Sequence, residues 1–110
     1  MNDGVIIDSN CCIKAVLAFG DVRDYYTDSI NEFIHRCKLK EVPIGYFPVI
    51  REESERNLVK AISELLRRKG RYIDLFKAVE RGRKKLRKLF DRKLTQLPEN
   101  YTDKEITNAR

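Results

Sequence analysis

The chain has no tryptophan, one histidine, one methionine, three prolines and five glycines among its 110 residues. It also has no long apolar run: the longest, Ala15 to Phe19, is five residues, far short of the roughly 20 needed to cross a bilayer. The opening MNDGVIID has no basic stretch ahead of an apolar core, so it does not read as a secretory signal. Three cysteines, two of them adjacent (Cys11 and Cys12), cannot all pair within one chain, and they lack the paired spacing of a zinc site. This cysteine usage fits a reducing, cytoplasmic setting better than a disulfide scaffold. There is no glycine-rich phosphate loop, no internal repeat and no low-complexity tract. His35, the single histidine, has no cysteine or serine at a catalytic spacing.

What the chain does have is charge, unevenly spread. From Arg67 to Lys93 there are thirteen Lys or Arg against three Asp or Glu; the rest of the sequence carries ten basic and fourteen acidic residues. A mildly acidic body thus bears one strongly basic segment, spanning about 67–94. Such a segment is either a solvated helix face or an attractor of polyanions, nucleic acid before an anionic membrane, because its apolar side is needed for the core. At 42% hydrophobic residues, the length is that of one domain, 1–110, with one modest core.

Apolar spacing gives the organisation. Val5, Ile6 and Ile7 form a β-branched run ended by Asp8, which reads as a buried strand of about four residues. A short helix is expected over about 10–19, closed by Gly20, and a longer one over about 22–40, with Tyr26, Ile30, Phe33, Ile34 and Cys37 on its apolar face. Ile44 to Phe47 reads as a second strand. A third helix is expected over about 48–69, with Leu58, Val59, Ile62, Leu65 and Leu66 inward and Gly70 as its stop. A fourth is expected over about 71–94. Leu75, Phe76, Val79, Leu86, Leu89 and Phe90 line one side of it, and Arg83, Lys84, Arg87 and Lys88 lie largely on the other. Gly82, beside the apolar stripe, is either a point of close approach or a weak point. After Pro98, Thr102 and Glu105 make a capping box that opens a fifth helix near Asp103. Two strands joined by a helical crossover imply a parallel βαβ unit and an α/β class.

Carboxylates fall where α/β folds place chemistry, beyond the carboxyl ends of the strands. Asp8 follows the first strand, Glu52 and Glu53 lie in the first turns of the helix after the second, and Asp103 opens the last helix. Each also fits a plain capping or helix-dipole role. If three of them converged, their mutual repulsion would call for a divalent cation, and oxygen-only ligands favour Mg²⁺ or Mn²⁺.

At this point the sequence resembles a PIN domain, the family of Mg²⁺- or Mn²⁺-dependent nucleases. VIIDSNCCI resembles the family's first motif, an apolar strand ending in Asp followed by Ser or Thr and then Asn, which places the first acid at Asp8 and its polar partners at Ser9 and Asn10. YFPVIREESERNL resembles the second motif, with Glu53 the better match and Glu52 the near miss. TDKEITNA resembles the third, with Asp103 as the acid, Ile106 three positions on and Ala109 shortly after.

The resemblance implies a helix-rich, three-layer α/β/α fold on a short parallel sheet. The family usually continues into further strands and another Asp after this point, so the resemblance makes this chain an N-terminal portion with an incomplete sheet. It also implies hydrolysis of RNA phosphodiesters, with Asp8, Glu53 and Asp103 as catalytic residues and metal ligands and with Asn10 or Ser9 orienting Asp8 or a bound water. Arg81, Arg83, Lys84, Lys85, Arg87 and Lys88 would then contact backbone phosphates, as their charge suggests. A homodimer and an antitoxin-like protein partner are further implications. The alternative is a catalytically inactive PIN-like module that binds nucleic acid or a protein through the basic helix.

Overall fold

In the computed structural model, which describes residues 4–70 and 74–98, Val5–Ile6 forms β1 and Ile44–Tyr46 forms β4, and the two pair in parallel with Val5 opposite Ile44 and Ile6 opposite Gly45. Between them lie α1 (Ser9–Val16), a hairpin of β2 (Ala18–Phe19) and β3 (Val22–Arg23), and α2 (Thr27–Leu39). After β4 come α3 (Pro48–Arg68) and α4 (Leu75–Lys88); α4 runs on into a π-helical turn, Leu89–Lys93, before β5 (Thr95–Gln96). The protein is therefore mixed α/β and rich in helix, with a small parallel sheet in the order β1-β4-β5. The fifth helix, Asp103 and the Thr102–Glu105 capping box lie outside the described residues, as does Tyr72.

Three features differ from the sequence expectation, each for a local reason. The helix expected from residue 22 begins at Thr27, because Val22 and Arg23 pair back onto Phe19 and Ala18. Gly20, expected to close a helix, sits instead at φ +64° as the first residue of the two-residue hairpin loop, where glycine costs least. Asp24 then accepts the Tyr26 N–H at 2.9 Å, turning the chain into α2. The second difference is β5. Thr95 and Gln96 carry no apolar run, and their strand exists by pairing with Gly45 and Tyr46.

The third is the fourth helix. It starts at Leu75, where Asp74 accepts the Phe76 N–H at 3.0 Å, and its first turn projects past the core: Leu75 is 42% and Phe76 72% exposed. Of the face assigned to α2, Tyr26 and Phe33 are likewise half-exposed, and Ile34 and Cys37 carry the burial.

The core is one cluster that joins Ile7, Ile44 and Tyr46 of the sheet region to the inward faces of all four helices. Tyr46 meets Phe90 edge-on at 4.6 Å between ring centroids. Leu86, Leu89 and Phe90, at i, i+3 and i+4, are buried on one face, and the π-helical turn closes with the Leu94 N–H donating to the Leu89 carbonyl at 3.1 Å, which leaves Leu94 buried as well. On the opposite face of the sheet Ile6 is 41% exposed and Thr95 is exposed, while Gly45 leaves room for Leu97, whose side chain would lie 3.0 Å from an added Cβ. Among the described residues the helices thus cover one face.

α1 is held at its C-terminal end by α2. Thr27 Oγ1 donates toward the Lys14 and Leu17 carbonyls (2.7 and 3.1 Å), and Asn31 Nδ2 donates to the Ala15 carbonyl at 2.8 Å, supplying partners that a helix C-terminus lacks. Gly70, at φ +61°, follows α3 as the sequence implies.

Candidate metal centre and nucleic-acid surface

Because β1 and β4 are adjacent and parallel, the segments that leave their carboxyl ends start side by side. β1 delivers Asp8 to the N-cap of α1, and Pro48 opens α3 two residues after β4. α1 and α3 then pack closely: Cys12, Ser54 and Leu58 are fully buried, and the Ser54 hydroxyl donates to the Ile50 carbonyl at 2.7 Å. That packing brings Glu53, half-buried on α3, to the first turn of α1, where Ser9 Oγ donates to Glu53 Oε2 at 3.2 Å. Glu52 points to solvent. Of the two adjacent glutamates, Glu53 is the one that meets the Asp8 segment.

Asp8 is exposed and serves as a helix cap: its Oδ1 accepts the Cys11 N–H at 2.8 Å, and the Cys11 thiol also hydrogen-bonds this carboxylate. Capping uses part of the carboxylate's acceptor capacity and leaves room for a cation. Ser9 holds Glu53 rather than Asp8, and Asn10 makes no hydrogen bond to either acid among the described residues. The residue that fixes Asp8 is Cys11, which sequence reading missed; the N-cap spacing, with the N–H three residues on as donor, was the available signal. Burial, the Asp8 hydrogen bond and the Asp8 charge together push the Cys11 thiol up from its ordinary value.

Asp8 and Glu53 offer oxygen alone, which suits a hard divalent cation such as Mg²⁺ or Mn²⁺. No group of three or more potential metal-ligating side chains occurs among the described residues, and Asp103, the expected third acid, lies outside them.

The basic residues of α4 divide between two sides. Arg81, Lys85 and Lys88 recur at i, i+4 and i+7 on the flank nearest the hairpin, with Lys84 beside them, while Arg83 and Arg87 share another side; all six are exposed. Lys85 departs from the expected free phosphate contact. Its ammonium donates to the Ala18 carbonyl and lies 5.2 Å from the centre of the Phe19 ring, tying α4 to the hairpin. Burial lowers its pKa, and the Arg23 and Arg81 charges add to the effect.

The remaining candidates are structural. Cys12 and Cys37 are buried, and burial raises the Cys12 thiol to about 12. His35 is exposed. No described helix is long and apolar enough to cross a membrane. No protein-family model, curated protein or solved structure matches this chain.

Proposed function

We propose that the chain is a PIN-like, metal-dependent endoribonuclease domain, whose three-layer α/β/α arrangement would need a further helical layer on the sheet face that the described helices leave open. The observation that carries this reading is the Ser9–Glu53 hydrogen bond, which brings Glu53 to the residue that follows Asp8, 45 positions away in sequence, where the segments leaving neighbouring parallel strands start side by side. Asp8, Glu53 and Asp103 would hold Mg²⁺ or Mn²⁺. A metal held there would acidify a bound water and neutralise charge developing on the phosphate.

The protein's own groups do the rest. The Cys11 N–H and the helix it opens fix the Asp8 carboxylate, and Ser9 fixes the Glu53 carboxylate. The exposed Arg81, Arg83, Lys84, Arg87 and Lys88 attract backbone phosphates without choosing a sequence.

The test is cleavage of single-stranded RNA in Mn²⁺. Asp8→Asn lowers the rate by at least about 100-fold while RNA binding persists; Ser9→Ala, which leaves both acids in place, lowers it by about 10-fold. Wild-type cleavage by Asp8→Asn overturns the assignment. RNA binding without any cleavage by the unsubstituted chain favours the inactive, nucleic-acid-binding module instead.

A further inference from the structure

A cleft of about 400 Å³ opens between the hairpin and the end of α4, away from the two acids. Its floor is mostly apolar, formed by Ala15, Val16, Ala18 and Leu89, with Thr27 and Asn31 of α2 beside them. Its rim is cationic: Arg23 from β3, Lys85 and Lys88 from α4, and Arg92 and Lys93 from the π-helical turn. No carboxylate lines it.

The convergence follows from helix geometry. Lys85, Lys88 and Arg92 recur at i, i+3 and i+7, and the wider π-helical turn sets Lys93 next to Arg92 on the same rim. Arg23 shares an exposed ion pair with Asp28 at 3.3 Å, whereas Lys88, Arg92 and Lys93 have no ion-pair partner among the described residues. Lys88, Arg92 and Lys93, with no carboxylate between them, repel one another, and a bound anion relieves that repulsion. The apolar floor and the volume suit an anion that carries an organic ring, as a nucleotide does, better than a bare ion. The cleft sits by the C-terminal end of α1 and Asp8 by its N-terminal end, so an eight-residue helix of about 12 Å separates them. That is roughly three to four nucleotides of a stacked strand.

We propose that this cleft holds a phosphate and the adjoining nucleoside of the RNA strand, several nucleotides from the bond that lies at Asp8 and Glu53. The inference rests on the ribonuclease reading for the identity of the polyanion, and binding can be read without cleavage. The full chain carrying Asp8→Asn is titrated with a fluorescein-labelled oligouridylate, and anisotropy is followed. Lys88→Glu with Arg92→Glu weakens binding by about tenfold or more, and Lys88→Gln with Arg92→Gln weakens it by a smaller factor in the same direction. The same charge change at Lys38 and Lys40, exposed on and just after α2, weakens it by less than about threefold. Circular dichroism confirms that each variant is folded.

Equal losses at the two sites overturn the proposal, since a diffuse positive field then explains binding. Polyglutamate competing as well as the oligonucleotide at equal charge also overturns it, in favour of an acidic peptide. A separate cleavage assay on the unsubstituted chain distinguishes the two readings. Cleavage with equal losses overturns the cleft alone, and unequal losses without cleavage overturn the metal centre and support the cleft.

Discussion

Asp8 combines a structural and a proposed chemical role, and substitution can separate them. Its Oδ1 accepts the Cys11 N–H, a bond that an asparagine oxygen also accepts. Asp8→Asn is therefore expected to change stability by only a few tenths of a kcal/mol, whereas Asp8→Ala costs about 1 kcal/mol; thermal unfolding of the two variants checks the difference. A second residue-scale prediction concerns Cys12. Its thiol ionises at 9.0 in an open chain and at about 12 when folded, so the folded state holds the proton more tightly. The stability this provides is complete below pH 9 and is lost as pH rises toward 12, by up to about 1.4 kcal/mol per pH unit. Urea unfolding at a series of alkaline pH values is expected to show a shallower decline in Cys12→Val than in the parent; identical slopes contradict the assignment. Lys85, whose lowered pKa acts in the opposite direction over part of the same range, is common to both proteins and drops out of the comparison. At this scale Asp8 and Glu53 were legible because each follows an apolar run that ends at a strand's carboxyl end. The Ser9–Glu53 bond was not, because it joins residues 44 apart whose approach depends on how α1 packs on α3.

Among the elements, those with a strong apolar period were legible: β1, β4 and above all α3, whose 21 residues lie within one residue of the expected bounds. The hairpin and β5 were hidden. Ala18–Phe19 continues the apolar run of α1 and so reads as more helix, Thr95–Gln96 carries no apolar run, and each of these strands is held by pairing with a neighbour. Gly82 resolves toward close approach. A Cβ there would stand 2.9 Å from Ile62 Cδ1 and 3.4 Å from Leu58 Cδ2, so the glycine lets α3 and α4 pack tightly. Gly82→Ala gains about 1 kcal/mol of helix propensity and meets an overpacking cost of about 1–3 kcal/mol against the fully buried Ile62. The expected net result is a loss of about 1 kcal/mol. In an Ile62→Val background, which removes the offending methyl, the same substitution is expected to become neutral or stabilising. A double-mutant cycle by denaturant unfolding measures this, and a coupling near zero contradicts the close-approach account.

For the whole molecule, the sequence showed a basic segment on a mildly acidic body but not how its charges divide. The two sides of α4, the anchoring of Lys85 on the hairpin and the contribution of Arg23 to a shared cleft all arise from tertiary packing. Reversing Lys84 and Lys88 is expected to weaken RNA binding and to flatten its dependence on salt by about 1.4 units of the log–log slope, two phosphate contacts at about 0.7 each. An unchanged slope marks these residues as a solvated surface. The central claim is that Asp8 and Glu53 share one divalent cation, and Mn²⁺ titration of the full chain followed by paramagnetic broadening of amide resonances tests it most directly. The account predicts broadening centred on the start of α1 and the second turn of α3, abolished alike by Asp8→Asn and by Glu53→Gln. Broadening centred elsewhere, or surviving both substitutions, contradicts it.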